Sequence, residues 1–356
     1  MRGAVSNFSL AYKLSWLPRL LKPSIRGSKA GFAPAKGRLI KPPPVRTRRL
    51  VFLGDISAVA NREPPEIERR LKNAIASADL VIGNCESPVV EQPRFRMATR
   101  AGTRHAMTPR FLAEALTTIG AKPGKLVLSI ANNHMLDQGV AGYEETVAAL
   151  AALGIVTIGT SDTPVRAVEL DGLVLGLGAF TEWRNAAAAD FAGRVSMVGD
   201  LVADDCALLR YTKADHLCVV AHWDREFRHV PRRSTRELAR ELAGAGAELI
   251  VGHHAHVLQP AERIGDSLVA YGLGDFLGTA LPRVPWPMQL GGMLVVDVSA
   301  DEATKGKVAA YAVVPFVRER SGRHERLVLF DSASGELAQN MKQRFSQLFP
   351  AVTTAR

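Results

Sequence analysis

From Leu50 onward, short apolar runs alternate with amphipathic stretches, the rhythm of an α/β fold in which buried strands are joined by helices. The run Leu50–Leu53 ends at Gly54 and Asp55. A helix is predicted over Pro65–Ala76, then a buried strand Leu80–Ile82 stopping at Gly83 and Asn84, then an irregular loop to about Met107. The strand Leu126–Ile130 runs into Asn132, Asn133 and His134, and the helix after it, Gly142–Leu153, stops at Gly154, the residue type that most easily makes the left-handed turn at a helix end. Strands are expected at Val156–Gly159, Leu173–Gly178 and His216–Ala221, with an Ala- and Asp-rich helical stretch within 185–215. A helix over Thr235–Ala245 leads to the strand Leu249–Val251 and the cluster Gly252, His253, His254, Ala255, His256. Strand-like runs at Leu268–Tyr271, Met293–Val298, Val308–Val317 and Leu327–Phe330 precede a closing helix, Gly335–Leu348. The pattern implies two β-sheets flanked by helices in one domain spanning 50–350.

Charge separates the first fifty residues from this body. They hold 12 of the 45 Lys and Arg and none of the 35 Asp and Glu, so the remaining 306 residues are close to neutral despite an overall charge of +10. Poor in periodic apolar positions and carrying Pro43 and Pro44, residues 1–49 read as a basic, flexible extension suited to an anionic surface or polymer. The segment Phe8–Leu21 is apolar but broken by Lys13, Pro18 and Arg19, which fits a secretory signal poorly; a short interfacial helix and, given the Arg-rich, acid-free composition, an organelle transit peptide are the two readings it suits. With no apolar run long enough to span a bilayer, a cytoplasmic or peripherally membrane-associated location is expected. Aromatic residues make up only 6% of the chain, which disfavours a base-stacking surface and makes nucleic acid an unlikely partner. Three cysteines at unrelated spacings, Cys85, Cys206 and Cys218, suggest neither a disulfide framework nor a thiolate zinc site.

The chemistry is concentrated at strand ends. Asp55, Glu86, Asn133 with His134, His222, and His254 with His256 all fall where an α/β fold builds its sites. Singly, each is ordinary, since Asp and Asn form turns and a lone His is often a satisfied core residue. Together, carboxylates, imidazoles and an amide oxygen form a ligand set for one or two divalent transition metals, Mn, Fe or Zn, rather than Ca or Mg. The pair His254 and His256 on an extended segment would point both rings to one side. Arg184 and Arg225 are candidates for meeting an anionic substrate, as is the loop Gln92–Met107 with Arg94, Arg96, Arg100, Arg104 and His105.

The order GD, GNCES, ANNH, AHW and GHHAH resembles the motif series of calcineurin-like metallophosphoesterases. Within that superfamily the sequence looks most similar to the CapA, or poly-γ-glutamate capsule-synthesis (PGA_cap), branch. The likeness is carried by VIGNCESPV, SIANNHMLDQGVAGYEETVAALAALGI, VVAHWDREF, LIVGHHAHVLQPAE and YGLGDF. It implies a four-layer αββα β-sandwich flanked by helices and a metal-dependent hydrolase acting on a phosphoester or a γ-glutamyl-type bond. A weakly catalytic polymer-binding role in capsule assembly is the alternative. Capsule-synthesis membrane proteins would be partners, with an anionic polymer or phosphoester as substrate. The resemblance places Asp55 and His256 on one metal and Asn133, His222 and His254 on the other, with Glu86 bridging and His134 as the general acid. Three positions depart from the pattern: Ser57 stands where a metal-binding His is usual, Asp224 where a Gly is, and Asp275 where an Asn is.

Overall fold

The computed structural model describes residues 6–58, 63–94, 104–202, 208, 211, 213–278, 285–321 and 324–351. In chain order it begins with α1 (Leu10–Leu21), β1 (Phe32–Ala33), β2 (Lys36–Arg38), β3 (Thr47–Ile56), β4 (Glu66–Ile67) and α2 (Arg69–Ala76). There follow β5 (Leu80–Cys85), α3 (Pro109–Ile119), β6 (Leu126–Ser129), α4 (Gly139–Ala152), β7 (Val156–Ile158), β8 (Val165–Leu170) and β9 (Leu173–Thr181). Two short helices, α5 (Ala188–Phe191) and α6 (Val198–Val202), precede β10 (His216–His222), α7 (Arg233–Gly244) and β11 (Leu249–His253). The chain ends with β12 (Ala261–Ile264), β13 (Ser267–Ala270), β14 (Asp275–Leu277), β15 (Leu290–Ser299), β16 (Val308–Ser321), β17 (His324–Leu329) and α8 (Gly335–Leu348).

Two sheets result, one of seven strands in the order β1-β12-β13-β11-β10-β9-β8 and one of ten built on β4-β17-β16-β15-β3-β5-β6-β7. Side chains alternate across a strand, and the alternation shows how the layers stack. In β10 and β11, Cys218, Val220, Leu249 and Val251 join the large core shared with the ten-stranded sheet. Their neighbours Val219, Ala221 and Ile250 enter a smaller core closed by Ala239 and Leu242 of α7 and Leu201 of α6. On the far side, α2, α3 and α8 bring Leu71, Ile75, Leu112, Leu116 and Met341 to the large core. Helix, sheet, sheet and helix form the expected four layers. Strands β3, β5, β6 and β7 run parallel, as do β9, β10, β11 and β13, with antiparallel strands added at the margins.

Some elements differ from the sequence reading. The helix expected at Pro65–Ala76 starts at Arg69, because Glu66 and Ile67 pair as β4 with β17. Helix α3 was not anticipated, although its punctuation is present: Thr108 caps it, accepting the Phe111 N–H at 3.1 Å, Pro109 opens it and Gly120 ends it at φ +84°. The basic N-terminal segment is also structured. β1 pairs with β12 and β2 with β16, while α1 buries Tyr12 and Leu20. An acid-free composition says little about packing when a few apolar residues on one face suffice. No helix among the described residues is long and apolar enough to cross a membrane. Cys85 and Cys218 are buried free thiols, and Cys206 lies outside the described residues.

Candidate metal centre

Strand register assembles the site. On the ten-stranded sheet Asp55 lies opposite both Asn84 and Asp275, and Asn84 lies opposite Ser129, after which β6 gives way to Asn132, Asn133 and His134. On the seven-stranded sheet His222 lies opposite His253. The strand ends of the two sheets meet at Asp55, whose Oδ2 accepts the His254 N–H at 3.2 Å and whose Oδ1 is 3.1 Å from His253 Nδ1. Amides brace the junction. Asn84 Nδ2 donates to Asp55 Oδ1 at 2.7 Å, Asn132 Nδ2 donates to Asn84 Oδ1 at 3.1 Å, and Asn132 Oδ1 accepts the His134 N–H at 3.1 Å.

Candidate ligand atoms of Glu86, His254 and His256 lie within 4.8 Å of one another, as do those of Asp55, Glu86, His256 and Asp275. Glu86 belongs to both groups: its Oε1 is 3.7 Å from His256 Nε2 and 3.8 Å from His222 Nε2, and Asn133 Oδ1 is 2.8 Å from the same His222 nitrogen. Glu86 Oε1 and His254 Nδ1 are buried without a hydrogen-bond partner. An orphaned buried acceptor costs about 1–3 kcal/mol, a cost that a bound cation removes. The mixed carboxylate, imidazole and amide donors suit a divalent transition ion, so the residues present fit the implied metal.

The HHAH segment departs from the extended geometry expected of it. His254 and His256 sit at φ +81° and +52°, in the left-handed region that bulky residues avoid. Hydrogen bonds hold the turn, from the His254 N–H to Asp55 and from the Phe227 N–H to Ala255 O at 2.8 Å. His256 is further fixed by Asp275, whose Oδ1 lies 2.6 Å from Nδ1, while Oδ2 accepts from Arg318 at 2.8 Å. A carboxylate on one imidazole nitrogen sets the tautomer and leaves Nε2, the atom nearest Glu86, free to bind metal.

Beside this cluster His134 is buried, with Nδ1 2.7 Å from Asp137 Oδ2. The same carboxylate oxygen accepts the His105 N–H at 2.6 Å, and the His105 ring stacks on His134 with centroids 3.5 Å apart. Asn185 Nδ2 approaches His134 Nδ1 at 3.2 Å.

The electrostatics suit cation binding. Burial would raise the Asp55 carboxyl, but His253, with His222 and His256, holds it below the usual range. Glu86 is pushed well above its ordinary value by burial and by Asp55 and Asp275. His222 and His254 are held well below theirs, first by burial and then by neighbouring imidazoles. Although burial alone would lower it, His256 is raised well above its own by Glu86, Asp275 and Asp55. A site that gathers both excess negative charge and neutral imidazoles is short of positive charge.

Ser57, at the position of the missing His, is buried near the Leu277 carbonyl. Asp224, at the position where a Gly is usual, accepts from Arg232 at 2.7 Å and from Gln259 at 3.0 Å. Arg184 donates to Ala186 O at 2.7 Å, and Arg225 lies over the Tyr12 ring, 5.5 Å from its centroid. Of the arginine loop, Arg96 and Arg100 lie outside the described residues, whereas Arg104 donates to Asp137 O at 3.3 Å beside His134. Residues the sequence reading passed over are Asn84, Asn132, Asp137, Asn185, His253 and Tyr12. Asn84 had a signal, since it precedes Glu86 by two positions at the strand end; Tyr12, more than 240 residues from His254, had none.

Fold and site together define a two-sheet α/β protein with a buried carboxylate, imidazole and amide cluster suited to divalent cations. The chain belongs to the family described as bacterial capsule synthesis protein PGA_cap, which it matches over residues 49–280. It is 31% identical to the PGA biosynthesis protein CapA of Bacillus subtilis (strain 168), covering 64% of this chain and 62% of that one. With the capsule biosynthesis protein CapA of Bacillus anthracis it shares 28% identity over 64% of this chain and 59% of that one. It therefore spans less than two thirds of either relative. Similar solved structures include a phosphatase from Mycoplasma pneumoniae, at 13% identity and TM-score 0.44, covering 76% of this chain and 94% of that one. Another is a 5'-nucleotidase-like protein from Staphylococcus aureus, at 14% identity and TM-score 0.44, covering 85% and 58%.

Proposed function

We propose that the chain is a metal-dependent hydrolase that cleaves a phosphoester or a γ-glutamyl-type amide in an anionic polymer or its precursor. The observation that carries this reading is the pairing of two orphaned ligand atoms, Glu86 Oε1 and His254 Nδ1, with a buried His134 and Asp137 dyad close by. Asp55 and His256 would hold one cation and Asn133, His222 and His254 the other, with Glu86 shared. When bound, such cations polarise substrate oxygens and acidify water. Asp137 accepts the Nδ1 proton of His134 and fixes the ring, so that when Nε2 is also protonated, that second proton is the one a leaving oxygen or nitrogen takes. Asp275 keeps His256 in the ligating tautomer, and the Asn84 and Asn132 amides hold Asp55 and the His134 backbone in place.

A second reading, a polymer-binding partner with little turnover, is favoured by one feature: Asp55, Glu86, Asn133, His134, His222 and His254 are all at most 5% exposed. Metal content and hydrolysis, measured on wild type, His134→Ala and His254→Ala with a phosphodiester and a γ-glutamyl peptide, decide between them. Under the hydrolase reading, wild type contains transition metal and turns over one substrate. His134→Ala then keeps its metal and loses turnover, and His254→Ala loses both. Metal without turnover in wild type favours the scaffold, and absence of metal overturns the metal centre itself.

A further inference from the structure

The N-terminal helix has two apolar faces. Tyr12, Trp16 and Leu20 form the inner one. Leu10, Leu14, Leu17 and Leu21 form the outer one and stand 72%, 71%, 56% and 69% exposed. The spacing of four, three and four residues aligns these leucines in a single stripe along the helix. Lys13, Lys22, Arg26 and Lys29, on the helix and in the segment after it, are exposed, and no acidic residue occurs before Asp55.

The inner face lies on the metal centre. Tyr12 Oη is 3.3 Å from His254 Nε2, and Phe8 stacks on Trp183 with centroids 5.0 Å apart and planes 2° from parallel. The Asn7 side chain donates to Glu182 O at 2.7 Å and accepts the Arg184 N–H at 2.9 Å. Tyr12 Oη accepts the Glu226 N–H at 3.3 Å, and Trp16 meets the Phe227 ring at 5.6 Å. The helix and the residues just before it are thus hooked to both loops that carry the candidate substrate arginines, Arg184 and Arg225.

We propose that α1 is a detachable cover whose outer leucine face binds an anionic bilayer, so that docking on the membrane surface and opening of the metal centre are one event. The assignment of what is uncovered rests on the hydrolase reading; the cover and its docking face do not. Four leucines on one side of a 12-residue helix, in a segment whose exposed charges are all positive, match an interface that offers acyl chains beneath anionic headgroups. A second copy of the same face would bring two sets of cations together, which disfavours a leucine-mediated dimer.

Flotation of the full chain with phosphatidylglycerol-containing vesicles, and with vesicles of phosphatidylcholine alone, tests the docking face. Binding is expected only to the anionic vesicles, and Leu14→Asp with Leu17→Asp is expected to weaken it by about tenfold or more. Hydrogen exchange reads the opening without depending on metal or turnover. The Arg184 and Glu226 amides, held by Asn7 and Tyr12, are expected to exchange faster in the presence of anionic vesicles and at the solution rate in the double variant. Failure of the wild type to float, or equal flotation of the double variant, overturns the docking face. A leucine-dependent dimer in sedimentation reassigns the face to self-association. Flotation with unchanged exchange at Arg184 and Glu226 overturns the cover.

Discussion

Replacing Asp275 with Asn tests how much of the metal affinity depends on a residue that does not belong to the usual motif. Its carboxylate bridges His256 Nδ1 at 2.6 Å and Arg318 at 2.8 Å, while Arg318 has a second acid, Glu325, at 2.7 Å. The amide can keep one acceptor, on His256, but then turns its NH2 toward the guanidinium, donor against donor. Two effects on metal binding oppose each other. Loss of the anion makes His256 less basic, which reduces competition from protons; it also removes a negative charge from beside a dication. The second effect wins, because the same charge acts on +2 in the metal and on +1 in the proton. Loss of such a supporting carboxylate typically costs 10–100-fold, so the expected weakening is about 1.4–2.7 kcal/mol. Competition against a fluorescent chelator gives Kd for both proteins, and thermal unfolding of the metal-free forms separates affinity from folding. Unchanged or tighter binding in Asp275→Asn would refute the assignment of Asp275 as the residue that fixes His256.

Two further outcomes follow from buried positions other than the metal ligands. His229 bonds Leu258 O at 2.7 Å through Nδ1, its Nε2 has no partner, and burial followed by the charge of Arg344 lowers its pKa to about 3. The unfolded chain therefore binds a proton at His229 near pH 6.5 that the folded chain refuses until about pH 3. Stability is intact above the first value and falls by about 1.4 kcal/mol per pH unit toward the second, so urea titrations of His229→Gln should show an acid slope shallower by that amount. Equal slopes would exclude His229 as the cause. Gly252 opens onto the HHAH turn, and a Cβ there would collide with the Tyr271 carbonyl and the Trp223 indole nitrogen, which are themselves hydrogen-bonded at 2.9 Å. Gly252→Ala should lose about 3 kcal/mol or more, whereas Gly244→Ala, with nothing within 4 Å, should change stability by less than about 1 kcal/mol; comparable denaturation midpoints would contradict the packing argument.

The strands that carry the site were legible because they are buried on both faces and read as unbroken apolar runs. The polar residues ending those runs therefore stood out: Asp55 after Leu50–Leu53, His222 after His216–Ala221, and His254 after Leu249–Val251. Edge strands were harder to see. β8 and β12 contain exposed positions, β4 and β1 have two residues each, and such segments become strands only because a neighbour offers a pairing edge. The site divides in the same way. Residues that act through their own motif were visible, whereas Asp137 and Asn185 gain meaning from the atom each one touches, and sequence spacing does not encode those contacts.

The N-terminal segment shows the limit of compositional argument. Net charge and absence of acids describe how a segment interacts with its surroundings on average, and on that basis residues 1–49 resemble a solvated extension. Packing depends instead on which positions share a face. Tyr12, Trp16 and Leu20 are spaced by four, so one helical turn after another presents an apolar group to the body, while Arg19 donates to the Glu226 carbonyl at 2.8 Å and Lys13 stays exposed. Twelve residues are too few to be stable as an isolated helix, which means α1 exists only while one of its faces is covered. In the undocked chain the inner face is covered by Phe227, Trp183 and His254, so the contacts that stabilise the helix are also the ones that hold it beside the metal centre. A substitution that weakens this contact, such as Trp16→Ala, therefore acts on the access route and on the folding of the segment at once.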